Sequence, residues 1–450
     1  MSPPLAGTTE AVTAVEFAAL MSEFEPFEPK PHVAVAVSGG ADSLALAVLL
    51  QRWARARGGS VTALIVDHGL RAAAGAEAVR VGKILGGLGL AHHILRWRGA
   101  KPAANVQAAA RRARYGLLND WCARRGVLHL ALGHQLEDQA ETFLLRLGRG
   151  SGLDGLAAMP AVAMNRDLRL LRPVLGVPGA RLRATLRRRG LDWIEDPSNR
   201  DSKHARVRLR ALQPNMTEEG LTPDRLAATA DRLGRARAAL ERTTAMVLAR
   251  AAVVHPAGFI RLDPVPLAAA APEVGLRALS RIAMLVGGQE YPPRLERLER
   301  LYGRIVAGMT AGATLGGCRF IPQKGGILVV REPATLAAQP VKAGERLLWD
   351  HRFALRIGRC ARPRRGGLRL GPLGSDGWAQ VRAQVHARVP ALAAAIPVPA
   401  RPGLPALFDG QGVISVPHLG FERGRNHLLT MVCAGFSPRI SLTIGSFTVA

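Results

Sequence analysis

The chain has 450 residues, 48% of them hydrophobic, and its 61 lysines and arginines against 34 acids give a net charge of +27. That length exceeds what one core serves and calls for two or three domains, while no apolar run is long enough to span a membrane. The mildly acidic first thirty residues lack the basic start and apolar block of a secretory signal.

Cys122, Cys318, Cys360 and Cys433 stand singly, which argues against a disulfide framework or a thiolate metal cluster and suits a reducing cytoplasm. A soluble protein this basic meets a polyanion, and nucleic acid is the expected one. Genomic bias explains why 55 of the 61 basic residues are arginine more easily than it explains the deficit of acids. With aromatics at only 4%, phosphate contacts and shape should dominate over stacked bases.

In chain order, the first 150 residues alternate strand and helix patterns. Val33-Ala34-Val35-Ala36-Val37 reads as a buried strand and Leu44 to Leu50 as the helix after it. A strand follows over Val61 to Val66, a helix near Ala76 to Leu88, a strand over His92 to Trp97 and a long helix from about Asn105 to Arg124. The strand Val127 to Leu132 and a helix beginning near Glu137 complete the set. This alternation predicts a doubly wound parallel sheet with helices on both faces and ligands at the carboxyl ends of its strands.

Ser38-Gly39-Gly40-Ala41-Asp42-Ser43 lies in the first strand-to-helix turn. The glycines let the backbone approach a ligand and take positive φ, and the unpaired amides of the helix start favour an anion, so phosphate is the expected guest. The turn lacks the lysine of a Walker-type loop and offers Asp42 and Ser43 instead. A carboxylate beside a phosphate cradle suits a site that holds Mg²⁺.

Two later strand ends carry polar clusters, Asp67-His68-Gly69-Leu70-Arg71 and Gly133-His134-Gln135-Leu136-Glu137-Asp138-Gln139, and the topology converges them on the glycine turn. Asp138 can join Asp42 as a metal ligand, and His134 is a candidate phosphate contact with no assignment as a base. Arg111 and Arg114 share a helix face beside Tyr115 and, aimed at the cleft, would stabilise charge on an α-phosphoryl group.

Ser38 to Ser43 resembles the SGGxDS loop of the N-type ATP pyrophosphatases, which cleave ATP to AMP and pyrophosphate. The stretch Gly133 to Met159, including Glu141-Thr142-Phe143-Leu144-Leu145-Arg146-Leu147-Gly148-Arg149-Gly150-Ser151-Gly152, narrows the likeness to the tRNA(Ile)-lysidine synthetase family. Ala110 to Tyr115, Leu171-Arg172-Pro173-Val174-Leu175, Glu195-Asp196-Pro197-Ser198-Asn199 and Arg206, Arg208 and Arg210 continue it over about the first 215 residues. One departure stands out, since Glu137-Asp138 replaces the usual pair of aspartates.

The resemblance implies ATP and Mg²⁺ as cofactors, with Ser38 to Ser43, Asp67 and His68 at the nucleotide. It implies free L-lysine and the CAU-anticodon isoleucine tRNA as partners. ATP then activates C2 of the wobble cytidine, and the lysine amine displaces AMP to give lysidine. Glu141, one turn beyond Glu137 and Asp138, is a candidate for the lysine ammonium, or else a helix-face charge paired with Arg146. Arg149, in the glycine-rich loop Gly148 to Gly152, is a candidate tRNA contact on a loop that closes over substrate. Arg206, Arg208 and Arg210 share one side if extended, and would track an RNA backbone or reach the ATP phosphates.

Past residue 216 the character changes. Leu221 to Arg250 and Leu276 to Val306 read as helices of a small domain, residues 216–320, after the catalytic domain 1–215, and the resemblance implies that this domain contributes to tRNA binding. Short β-like runs at Ile327 to Arg331, Phe353 to Ile357, Leu368 to Leu370 and Val413 to Val416, with seven arginines and no acid from Arg352 to Arg369, predict a basic C-terminal domain over 321–450. The expected fold is thus α/β, adenine nucleotide alpha hydrolase-like, followed by a small helical domain and a mixed α+β domain. A homodimer is left open. Two rivals remain: a tRNA thiolation enzyme of the same fold, which would need a Cys-x-x-Cys absent here, and a non-catalytic RNA-binding protein.

Overall fold

The structure, a computed structural model, describes residues 10–442 apart from 72, 100, 103, 166–167, 196–204, 359–366, 424–430 and 439–440. The proposed turn at 196–199, Cys360 and the centre of the arginine-rich run therefore lie outside the described residues. The chain divides into two compact units, one ending at Ala238 and the other beginning at Ala239.

The first unit opens with α1 (Ala14–Ser22), then β1 (His32–Ala36), α2 (Ala41–Arg55), β2 (Ser60–Asp67), α3 (Ala74–Gly87), β3 (Ala91–Arg96), α4 (Val106–Arg125) and β4 (His129–Leu132). It continues with α5 (Leu136–Leu147), α6 (Leu153–Leu156), β5 (Val162–Asn165), β6 (Leu168–Leu171), α7 (Gly179–Arg187), α8 (Ala205–Glu218) and the greater part of α9 (Pro223–Ala251). The sheet order is β3-β2-β1-β4-β6-β5, parallel throughout except for the β5–β6 hairpin.

β1 is buried on both faces, as a continuous apolar run requires. Val33 and Val35 join Leu44, Leu46 and Leu50 of α2, Val81 and Leu85 of α3, and Leu182 and Leu186 of α7 in one core. Ala34 and Ala36 point the other way, to Leu118, Trp121 and Cys122 of α4. Burying each such Leu or Val contributes roughly 1.5–3 kcal/mol, so these two layers hold the sheet together. The order also places a topological switch point between β1 and β4, where a crevice opens at the carboxyl ends.

The second unit holds β7 (Ala252–His255), β8 (Phe259–Leu262), α10 (Pro264–Ala268), α11 (Pro272–Gly287), α12 (Leu295–Val306), β9 (Ala313–Leu315), β10 (Cys318–Gln323) and β11 (Gly326–Arg331). These strands form an antiparallel sheet, β7-β8-β11-β10-β9, whose Ile260, Phe320 and Val329 pack on Leu279, Ile282 and Leu301. The segment expected to be helical therefore also contains strands: the Pro256-Ala257-Gly258 turn closes a hairpin within what reads as punctuation. Leu276 to Val306 is helical as expected and holds two helices, because Gly288 ends α11 at φ 62° and two prolines follow. β12 (Gln339–Val341), β13 (Arg346–Trp349), β14 (Phe353–Ile357), β15 (Leu368–Pro372), α13 (Gly374–Arg388), α14 (Pro390–Ala395), β16 (Pro405–Asp409), β17 (Gly412–Val416), β18 (Phe421–Glu422) and β19 (Met431–Phe436) complete it as two further antiparallel sheets. Among the described residues, no helix is long and apolar enough to cross a membrane.

Candidate active site

The loop after β1 is built as its glycines require. Gly39 has φ 95°, and a Cβ there would stand 2.6 Å from Cγ2 of Val81. Ile194 donates its amide to the Gly39 carbonyl at 2.9 Å, so the loop is held from behind. The Ser43 hydroxyl donates to the Gly40 carbonyl at 3.0 Å and accepts from the Ser38 amide at 3.2 Å. Gly40 stands at the N-cap of α2 without a side-chain cap, which leaves the amides of the first turn for an anion.

Gly133 brings the end of β4 against this turn: a Cβ on it would lie 2.9 Å from Cα of Ser43. The β4–α5 turn is then fixed by a capping box, in which Gln135 accepts from the Glu137 amide and Asp138 from the Gln135 amide. Asp42 and Asp138 thereby face one crevice. Oδ1 of Asp42 is buried without a hydrogen-bond partner. Burial first, then the Asp138 charge, lifts the Asp42 carboxyl to about 6, with Arg183 opposing. Two crowded carboxylates with an unpartnered oxygen are a donor set that fits Mg²⁺, which takes one or two carboxylates plus substrate phosphates. Among the described residues no group of three or more His, Cys, Asp or Glu could hold a metal.

His134 accepts at Nδ1 from Nε of Arg172 at 3.3 Å. Burial, then the charges of Arg172, Arg114 and Arg111, holds it down at about 3, so it is a neutral imidazole that can donate only from Nε2. Arg114 carries charge toward both His134 and His68, whose own value is lowered by burial and then by Arg114. The Arg111 guanidinium lies 5.2 Å from the Tyr115 ring centre, and the charges of Arg111 and Arg114 both act on His134. Asp67 is occupied locally, accepting from the Gly69 amide at 2.9 Å.

The alternating arginines are helical and not extended. On α8, Arg206 and Arg210 are one turn apart and face Asp138 and Glu141. Arg210 donates to both oxygens of Glu141, at 2.5 and 3.3 Å, so the partner of that carboxylate is Arg210 and not Arg146. Burial raises the Glu141 carboxyl although Arg210 opposes it. Arg146 instead binds the carbonyls of Gly155 and Ala158, each at 2.8 Å, anchoring the turn that carries exposed Arg149. A narrow cleft of about 10 Å³, room for about one water molecule, lies beside this pair, with Glu137 and Glu141 on one wall and Leu144, Met216 and Leu226 on others.

Sequence reasoning passed over Arg172 and Arg183 as site residues. Arg172 was visible only within Leu171 to Leu175, and Arg183 only as one of ten basic residues from Arg181 to Arg210.

A glycine phosphate loop and an acidic strand end meeting at the switch point define a nucleotide-binding protein of the PP-loop class, and residues 10–216 match the PP-loop domain family. The tRNA(Ile)-lysidine synthase of Ruegeria pomeroyi is 39% identical over 329 residues, covering 73% of this chain and 77% of that protein. That of Bradyrhizobium sp. (strain BTAi1) is 43% identical over 304 residues, 65% of this chain and 85% of that one. The U34-tRNA thiolase NcsA from Methanococcus maripaludis, solved with its [4Fe-4S] cluster, is more distant, at 18% identity and TM-score 0.42 over 49% of this chain and 78% of that one. The chain belongs to the tRNA(Ile)-lysidine synthase family, and is a ligase of tRNA modification.

Proposed function

We propose that the enzyme uses ATP to attach free L-lysine to C2 of the wobble cytidine of the CAU-anticodon isoleucine tRNA. The reaction runs in two steps. The cytidine O2 attacks the α-phosphorus, the bond to the β-phosphate oxygen breaks with its electron pair, and pyrophosphate leaves. The lysine amine, losing a proton, then forms the C2–N bond as the C2–O bond breaks and AMP departs. The observation that carries this reading is the pair Asp42 and Asp138 facing one crevice beside the uncapped start of α2.

When bound between Asp42 and Asp138, Mg²⁺ would neutralise phosphate charge. The α2 amides and Ser43 bind phosphate, Arg111 and Arg114 add positive charge from α4, and neutral His134 donates from Nε2. Glu141 suits the ammonium end of an amino acid, which would exchange with the Arg210 guanidinium. Within this reading, residues 1–215 act catalytically, and 216–320 and 321–450 grip tRNA together with Arg149, Arg206 and Arg208. The setting is cytoplasmic.

Radiolabelled lysine, ATP, Mg²⁺ and separated tRNAs test the reading directly. Label is expected in the CAU-anticodon isoleucine tRNA alone, with AMP and pyrophosphate formed in equal amounts. Binding of ATP and tRNA without lysine incorporation would refute it.

A further inference from the structure

α7 carries three arginines, and two of them are engaged elsewhere. Arg181 grips Glu16 through two hydrogen bonds at 2.6 and 2.8 Å, and Arg187 lies 5.9 Å from the Trp193 ring centre. Arg183 is half-buried and has no hydrogen-bond or ion-pair partner among the described residues. A guanidinium in that condition is poised for an anion that comes from outside.

Its position is set by the site itself. Leu182 and Leu186 pack into the same core as Leu44 and Leu46, which holds α7 against α2. The first residue of α7, Gly179, donates its amide to Oε2 of Glu137 at 3.0 Å. The point where a Cβ on Gly179 would stand is 3.3 Å from both Nη1 of Arg183 and Nε2 of Gln135. The head of Arg183 therefore lies at the β4–α5 turn that carries Asp138. Its charge also opposes the upward shift of Asp42 more than any other cation does. α4, with Arg111 and Arg114, packs on the opposite face of the sheet, against Ala34 and Ala36.

We propose that Arg183 is a phosphate-binding residue of this enzyme: its guanidinium takes the β-phosphate of ATP, facing Arg111 and Arg114 across the crevice, and remains on pyrophosphate as the α-phosphorus bond breaks. Glu137 is its positioning residue. The longer arm that distinguishes Glu137 from an aspartate is what reaches Gly179 and sets the start of α7, one turn before Arg183. The inference rests on the adenylating reading above.

The test compares Arg183→Met, Arg183→Lys and Glu137→Asp with the unaltered enzyme in ATP–pyrophosphate exchange, pyrophosphate inhibition and tRNA binding. Loss of a charged phosphate contact should lower kcat/KM for ATP by about 10- to 100-fold in Arg183→Met and weaken pyrophosphate inhibition by a similar factor. Arg183→Lys, which keeps the charge without the fork, should fall between and gives the answer if the methionine variant does not fold. Glu137→Asp should shift kcat/KM for ATP and pyrophosphate inhibition together, leaving tRNA affinity within about twofold, since a phosphate defect is local. Unchanged pyrophosphate inhibition in folded Arg183 variants of an active enzyme overturns the inference. An unaltered enzyme that neither exchanges pyrophosphate nor incorporates lysine overturns the reading beneath it instead.

Discussion

The closest backbone approach at the site is at Gly133, and Gly133→Ala probes it directly. The added methyl would stand 2.9 Å from Cα and 3.0 Å from N of Ser43, and 3.2 Å from the carbonyl carbon of Asp42. Carbon atoms rest at about 3.5 Å or more, so the end of β4 and the first turn of α2 must part by roughly half an ångström. All three atoms are backbone, and no rotamer change relieves the overlap. Such overpacking costs about 1–3 kcal/mol, which lowers the melting temperature of the first unit by several degrees. The turn that moves is the phosphate cradle itself, and a shift of that size should reduce kcat/KM for ATP about tenfold, since 1 Å of misplacement can cost about 100-fold. Differential scanning calorimetry and ATP–pyrophosphate exchange measure the two effects. Gly116→Ala is the control: nothing lies within 4 Å of its Cβ position, and alanine within α4 should stabilise by about 0.5–1 kcal/mol without touching activity. A Gly133→Ala enzyme with the original melting temperature and kcat/KM within twofold would refute the reasoning.

In the second unit, Asp350 binds Arg331 at 2.9 and 3.0 Å and Arg352 at 2.6 Å, with both guanidinium groups buried. Asp350→Asn, which tolerates the backbone at φ 49°, should destabilise that unit by on the order of 3 kcal/mol, read by urea titration. Burial lifts the Cys122 and Cys318 thiols to about 12, so iodoacetamide at pH 8 should label neither until the protein is unfolded, as peptide mapping would show. Burial holds His418 down at about 4, below the 6.5 of an unfolded chain, so the unfolded state binds the proton first. Stability of the second unit should therefore fall as pH drops below 6.5 and level off near 4, by at most about 3 kcal/mol, and His418→Gln should flatten that slope in pH-dependent melting.

Local patterns carried the first half of the molecule. The strands and helices around Val33–Val37 and Ser38–Ser43 follow from period and punctuation, and the convergence of Asp42, His134 and Asp138 follows from the rule that parallel sheets bind at their carboxyl ends. The β5–β6 hairpin escaped notice because Val162–Leu171 is too short and mixed to show a period. β7 and β8 were hidden by Pro and Gly that belong to their turn. Arg206 to Arg210 alternate in sequence, yet the chain there is helical, and only tertiary placement against Glu141 reveals which arginines turn inward. Arg183 looked like its neighbours on α7, because what sets it apart is the lack of a partner among the described residues, which no sequence displays.

The close seat of Gly133 on Ser43 joins two strands that are neighbours in the sheet but about ninety residues apart along the chain. The binding turn is thus finished by the same pairing that closes the centre of the sheet, and the unfolded chain has no partial version of it. Nucleotide binding and consolidation of that sheet become linked equilibria: saturating ATP at about 100 times its dissociation constant adds about 2.7 kcal/mol to the stability of the first unit. Cellular nucleotide supply would then set the fraction of enzyme molecules that stay folded, as well as the rate at which they work.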